Sequence, residues 1–125
     1  MIYAVGTDLV AVSRIEKIIE KWHEKFVRKI YSEGEIRYCS SRGYPAQHFA
    51  ARFAAKEAFL KGVGLGMAGG VGFRDVEVTT GAGGEPELDF HGRAREMVDR
   101  AGITKSHITL SHTDRYAVAF IVLET

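Results

Sequence analysis

Pro45 to Lys61 reads as one long helix with a charge on the face that should be apolar. At about 100° per residue, Ala46, Phe49, Ala50, Phe53, Ala54 and Leu60 share one face, and Glu57 falls near its middle. Whatever packs on that face must also meet a carboxylate, because an unpaired buried charge is costly. Two sources of positive charge are open. Lys61 lies one turn on, at i+4, and a bound metal ion is the other.

The 125 residues suit a single domain, 1–125, large enough to bury one real core. Seventeen Lys and Arg against sixteen Asp and Glu leave a net charge of +1, so overall charge selects no partner and nucleic acid is not expected. The one cysteine, Cys39, excludes an intrachain disulfide and a Cys-rich metal site, which suits a reducing cytoplasm. The first residues have no basic segment followed by a long apolar run, so no signal peptide is expected. No apolar stretch approaches the roughly 18 residues of a membrane span.

Along the chain, Ile2–Val5 predicts a short buried strand ending at Asp8, after Gly6 and Thr7. Ser13-Arg-Ile-Glu16 has the form of a capping box. The helix it would open carries an apolar stripe (Ile15, Ile18, Ile19, Trp22, Phe26), an acidic one (Glu16, Glu20, Glu24) and a basic one (Arg14, Lys17, Lys21, Lys25, Arg28). Ser32-Glu-Gly-Glu35 is a second, weaker capping box, opening a short helix to about Ser41. Pro45 suits the first turn of the long helix, which stops at Gly62. Two hairpins are predicted, 73–80 with 86–90 and 106–112 with 116–123, separated by a helix over 92–101. Helices early and hairpins late predict an α+β fold: an antiparallel sheet with one long helix and shorter helices packed on it.

Asp8, at a strand end after a glycine, and Glu57 together supply two hard oxygen ligands. With no His or Cys cluster beside them they fit Mg²⁺ better than zinc. Gly64-Leu-Gly-Met-Ala-Gly69 matches G-x-G-x-x-G but follows a helix, so it is no dinucleotide fingerprint. Its glycines either let backbone amides approach an anion or form a connector. The basic stripe suits an acidic protein or phosphate backbone, or is a solvated face balanced by the glutamates beside it. His112, at a strand end, either contacts a phosphate or caps a turn. His23, His48, His91 and His107 show no metal spacing, and Cys39 reads as a packing residue. The residues alone leave open a Mg²⁺ enzyme acting on nucleotide phosphates, and a non-enzymatic module that binds an acidic protein.

Three segments in order carry a resemblance that spans the chain. They are Val5-Gly-Thr-Asp-Leu-Val10 with Arg14-Ile15, then Arg52-Phe-Ala-Ala-Lys-Glu-Ala-Phe-Leu-Lys-Gly-Val-Gly64, then Ile108-Thr-Leu-Ser-His-Thr113 with Tyr116-Ala-Val-Ala119. The chain resembles the holo-[acyl-carrier-protein] synthases, the small trimeric class of 4′-phosphopantetheinyl transferases. The resemblance implies transfer of the phosphopantetheine arm of coenzyme A to a serine of apo acyl carrier protein, in support of fatty acid biosynthesis. Adenosine 3′,5′-bisphosphate would be the other product. It implies that Asp8 and Glu57 hold Mg²⁺ and that Lys61 meets the pyrophosphate. Either a metal-bound water or Glu57 would take the serine proton. Lys56, one step before Glu57, points to a different face and is a weaker candidate than Lys61 for the pyrophosphate contact. Arg52, Gly64, His112 and Thr113 become candidate coenzyme A contacts. Arg14 first, then Lys21, Lys25 and Arg28, would dock the carrier protein. Sites would form between subunits of a homotrimer, with the Gly-rich loop and the last hairpin coming from different chains. Gly62 stands where the family often has Ala, which should loosen the helix end.

Overall fold

A computed structural model describes residues 1–64 and 70–125 of the chain. The order is β1 (Ile2–Ala11), α1 (Val12–Trp22), α2 (Glu24–Ile30), α3 (Glu33–Ser40), α4 (Pro45–Gly62), a 3₁₀ turn (Phe73–Asp75), β2 (Val76–Thr80), β3 (Pro86–Phe90), α5 (Gly92–Arg100), β4 (Lys105–His112) and β5 (Tyr116–Glu124). The strands form an antiparallel β1-β5-β4 sheet and a separate β2-β3 hairpin. This is the expected α+β architecture.

The long helix α4 is the core rather than a cover for it. Of residues 46–60, only Gln47, His48 and Glu57 fall short of full burial. The β1-β5-β4 sheet, α1, α3 and β2 all pack against it. The predicted apolar face is therefore correct in its members but incomplete. Ala51, Arg52, Ala55, Lys56 and Phe59 are buried on the other sides.

Lys56 is the largest departure. The sequence ranks it only behind Lys61 as a pyrophosphate contact, yet its side chain is fully buried. Its ammonium donates to Glu35 Oε1 (2.8 Å), Phe73 O (3.0 Å) and Val76 O (2.7 Å), using all three protons. The other oxygen of Glu35 accepts from the Val78 amide at 2.9 Å. Ser32 caps α3 reciprocally with Glu35, so the second capping box is present in full. One ion pair thus ties α3, α4 and the start of β2 together.

The first capping box does not form. β1 runs on through Asp8 to Ala11, paired with Tyr116, and passes straight into α1. Ala11 is the N-cap and no side chain caps it, because Ser13 already lies inside the first turn. The helix expected over 13–28 breaks at His23, whose φ of 48° is unusual for a residue with a Cβ. The break turns Val27, Ile30 and Tyr31 inward, and the Tyr31 hydroxyl reaches Phe49 O at 2.8 Å. Trp22, expected on the apolar stripe, is left 50% exposed. β1 is covered on one side only; on the other, Val5 and Leu9 face outward. Phe73–Asp75 forms the 3₁₀ turn, so the strand starts at Val76.

Gly6 sets how closely β1 meets α4. A Cβ there would sit 1.9 Å from the Ala58 carbonyl oxygen. Gly62 is the last residue of α4, and a Cβ on it would lie 3.3 Å from both Gly6 Cα and Val5 O. Two glycines let a strand and a helix touch backbone to backbone. Gly6→Ala is expected to cost upwards of about 2 kcal/mol in urea unfolding, since backbone must move. Lys56→Met is expected to cost about 3–5 kcal/mol by stranding the Glu35 carboxylate; a loss below about 1 kcal/mol would show that the pair does not hold the fold.

Candidate active site

The close β1–α4 approach brings three of the predicted residues to one place. Asp8, midway along β1, faces α4 beside Ala119 of β5. The ammonium of Lys61, from the last turn of α4, lies 3.0 Å from Asp8 Oδ1. Lys61 therefore pairs with Asp8 and not with Glu57, so the i+4 pair left open by spacing is not the one that forms. Glu57, one turn back on α4, is half-buried. Burial and then the neighbouring Asp8 charge push its carboxyl above the usual range, against the opposing pull of Arg14 and Lys61. Two carboxylates and two cations are thus close enough to sense one another. Arg14 also lies over the Phe53 ring, 5.7 Å from its centre, which carries it across from α1 to α4.

A second predicted group assembles elsewhere. Arg52 precedes Glu57 by five residues, a rotation of about 140° around the helix, so it faces a different side. It is 4% exposed and its Nε has no hydrogen-bond partner. Its guanidinium lies 4.2 Å from the centre of the Tyr38 ring, and Arg42 lies 4.2 Å from the same ring. His112, at the end of β4, meets His48 of α4 edge to face, with centroids 5.3 Å apart. Tyr38, His48, Arg52, Thr80, Leu110 and His112 line one pocket. Its charged groups are cations, and a buried Arg with an idle donor suits an anion. His48, which the sequence reading passed over, belongs here; only its place one turn before Arg52 hinted at it.

Other candidates stand apart. Thr113 Oγ accepts from the amides of Arg115 and Tyr116, so it closes the β4–β5 turn. Gly64 follows the end of α4 with a φ of 77°, a conformation suited to glycine. Of the G-x-G-x-x-G segment, residues 65–69 lie outside the described residues. The basic stripe is split by the His23 break between α1 and α2. On it, Arg28 is paired with Glu24 at 2.6 Å. Cys39 is buried, and burial pushes its thiol up to about 12, as suits packing and not nucleophilic chemistry.

One histidine has carboxylate neighbours that spacing did not show. The β2–β3 register sets Glu77 opposite Asp89. His91 Nε2 then lies 2.9 Å from Glu77 Oε1 and 3.6 Å from Asp89 Oδ2. Ser32 donates to the second Glu77 oxygen at 2.5 Å. Burial raises the Glu77 carboxyl, but these hydrogen bonds outweigh it and hold it below the usual range. This cluster is on the hairpin, apart from Asp8 and Glu57.

Known proteins place this geometry. The family model of the 4′-phosphopantetheinyl transferase superfamily matches residues 4–121. A holo-[acyl-carrier-protein] synthase of Syntrophus aciditrophicus is 45% identical over 124 residues, covering 99% of this chain and 97% of that protein. The crystal structure of a holo-[acyl-carrier-protein] synthase from Neisseria meningitidis superposes with a TM-score of 0.91 at 34% identity, covering 100% of both chains. A synthase from Bacillus anthracis in complex with coenzyme A (3′,5′-ADP) superposes at 0.80 with 33% identity, covering 100% of this chain and 98% of that one. The chain is an enzyme and belongs to the 4′-phosphopantetheinyl transferase superfamily, among the holo-[acyl-carrier-protein] synthases.

Proposed function

We propose that residues 1–125 form one transferase domain that moves the 4′-phosphopantetheine arm of coenzyme A onto a serine hydroxyl of apo acyl carrier protein. The reaction is Mg²⁺-dependent, releases adenosine 3′,5′-bisphosphate, and supports fatty acid biosynthesis in the cytoplasm. The observation that carries this reading is the mutual proximity of Asp8, Glu57 and Lys61. Two carboxylates that repel each other, with no His or Cys beside them, form a donor set that fits Mg²⁺. Asp8 and Glu57 would hold the ion, which when bound supplies charge neutralisation at the pyrophosphate.

The side chains then divide the work. Lys61 is 53% exposed, so its ammonium can swing from Asp8 to the pyrophosphate oxygens, where negative charge grows as the bond to the leaving group breaks. Glu57 is a candidate to accept the serine proton by its place in the cluster, while the upward push on its carboxyl in the free chain supports the uptake of a cation there. The cationic pocket around Arg52 and His112 takes the terminal phosphate and adenine of coenzyme A, while Gly64 and Thr113, which do not line it, remain proposed contacts elsewhere along the ligand. Arg14, Lys21 and Lys25 offer a basic rim to an acidic carrier protein. Arg28 adds less, being paired with Glu24.

The outward face of the sheet supports assembly. Tyr3, Val5 and Leu9 of β1 and Tyr116 and Phe120 of β5 form a large exposed apolar patch. A homotrimer would bury it. The Asp8–Glu57 group and the Arg52 pocket lie on different sides of α4, and sites shared between subunits would join one chain's carboxylates to its neighbour's pocket. Among the described residues, no helix is long and apolar enough to cross a membrane.

Incubating apo acyl carrier protein with this protein, coenzyme A and Mg²⁺ is expected to add the mass of one phosphopantetheine, and EDTA to prevent it. Cleavage of coenzyme A without that mass gain would mean a hydrolase instead. Glu57→Gln should abolish transfer while leaving the circular dichroism spectrum unchanged; near-normal transfer would end the metal assignment. Arg14→Glu should raise KM for carrier protein far more than KM for coenzyme A, and equal rises would count against docking on α1. Phe120→Glu should shift the mass seen by light scattering from three chains to one. An unchanged mass would place the interface elsewhere.

A further inference from the structure

In the pocket around Arg52, His112 is paired with a second histidine, His48, to which the transfer reaction gives no role. His48 projects from α4 with its ring edge-on to Tyr38 of α3, at 5.9 Å and 77°, and to His112 of β4, at 5.3 Å and 69°. The charged or titratable groups facing it are Tyr38, Arg42 after α3, Arg52 on its own helix and His112. The β2–β3 hairpin contributes only Thr80, Gly84 and Pro86. No carboxylate lines the pocket among the described residues. Burial, then His112, Arg52 and Arg42, all push the His48 imidazole toward its neutral form.

The situation inverts when a phosphate monoester enters. Such a group is largely dianionic above its second ionisation, near pH 6. It brings two negative charges and several acceptors to a site whose cations had only one another. An imidazolium facing a phosphate is then favoured where an imidazolium facing two guanidiniums was not. A diester, or each phosphate of a pyrophosphate bridge, carries only one charge on its own phosphorus, so the effect favours a terminal monoester.

We propose that His48, packed against His112, is a proton-coupled clamp for the terminal phosphate of coenzyme A, taking up a proton as that phosphate binds, and that it is a specificity-determining residue of the pocket. This rests on the coenzyme A reading of the pocket, and the test separates the two. Calorimetric titration at pH 7.5, in two buffers of different ionisation enthalpy, gives the number of protons taken up. Wild-type protein is expected to take up a large fraction of a proton with coenzyme A and almost none with dephospho-coenzyme A. His48→Phe keeps a ring against Tyr38 and is expected to lose most of the uptake. It should also lower the ratio of coenzyme A to dephospho-coenzyme A affinity several-fold.

No proton uptake by the wild type with coenzyme A, despite a preference for it over dephospho-coenzyme A, would overturn the clamp and leave the pocket assignment standing. Undiminished uptake in a folded His48→Phe protein would overturn the role of His48. Equal binding of the two ligands by the wild type would overturn the pocket reading itself. The wild-type arms need no variant to fold.

Discussion

Gly6 lies so near the Ala58 carbonyl that no side chain fits between them, and the proposed active site depends on this approach. β1 carries Asp8 two residues on, and α4 carries Glu57 and Lys61 on either side of Ala58. Were strand and helix held a normal side-chain layer apart, the carboxylates would each be solvated alone. Pressed together, they make a site in which each charge raises the cost of the other, and a cation is the natural remedy. Lys61 partly supplies one in the free protein, at 3.0 Å from Asp8.

Keeping a helix buried on nearly every side requires its polar groups to be satisfied. Lys56 and Glu35 do this for each other, with four backbone groups completing the set. Through Ser32 the network continues to Glu77 and His91. Adjacent positions on one helix therefore have opposite roles. Lys56 is locked by partners that use all its protons, while Glu57 is left short of them and able to bind something that arrives. Arg52 resembles Glu57 in this respect, since it is buried with an idle donor. The pattern separates residues that hold the fold from residues that wait for a ligand.

The site was legible where its signals are local. Asp8 stands out for its place after a short apolar run and a glycine, although β1 runs on past it to Ala11; Glu57 and Lys61 share a helix face, and Ser32 and Glu35 sit at capping distance. What escaped depends on contacts across the fold. Lys56 finds Glu35 across 21 residues, and no helical spacing predicts that. The Ser13 box failed because its success required β1 to stop early, which pairing with β5 prevents. The break at His23 carries neither Gly nor Pro to announce it. It follows from the need to turn Tyr31 and Val27 onto α4. His91 meets Glu77 because of hairpin register, and His48 meets His112 because α4 crosses the end of β4. Reading one helix at a time shows which residues are out of place, but not which partner excuses them.

Everything proposed for Asp8 and Glu57 depends on where a divalent ion binds. The most direct measurement is an anomalous difference map from crystals grown with coenzyme A and Mn²⁺, a heavier stand-in for Mg²⁺. A strong peak within coordinating distance of the Asp8 and Glu57 carboxylates is the predicted result. A map empty there, with its peak instead among Glu77, Asp89 and His91, would contradict the account and move the metal chemistry to the hairpin.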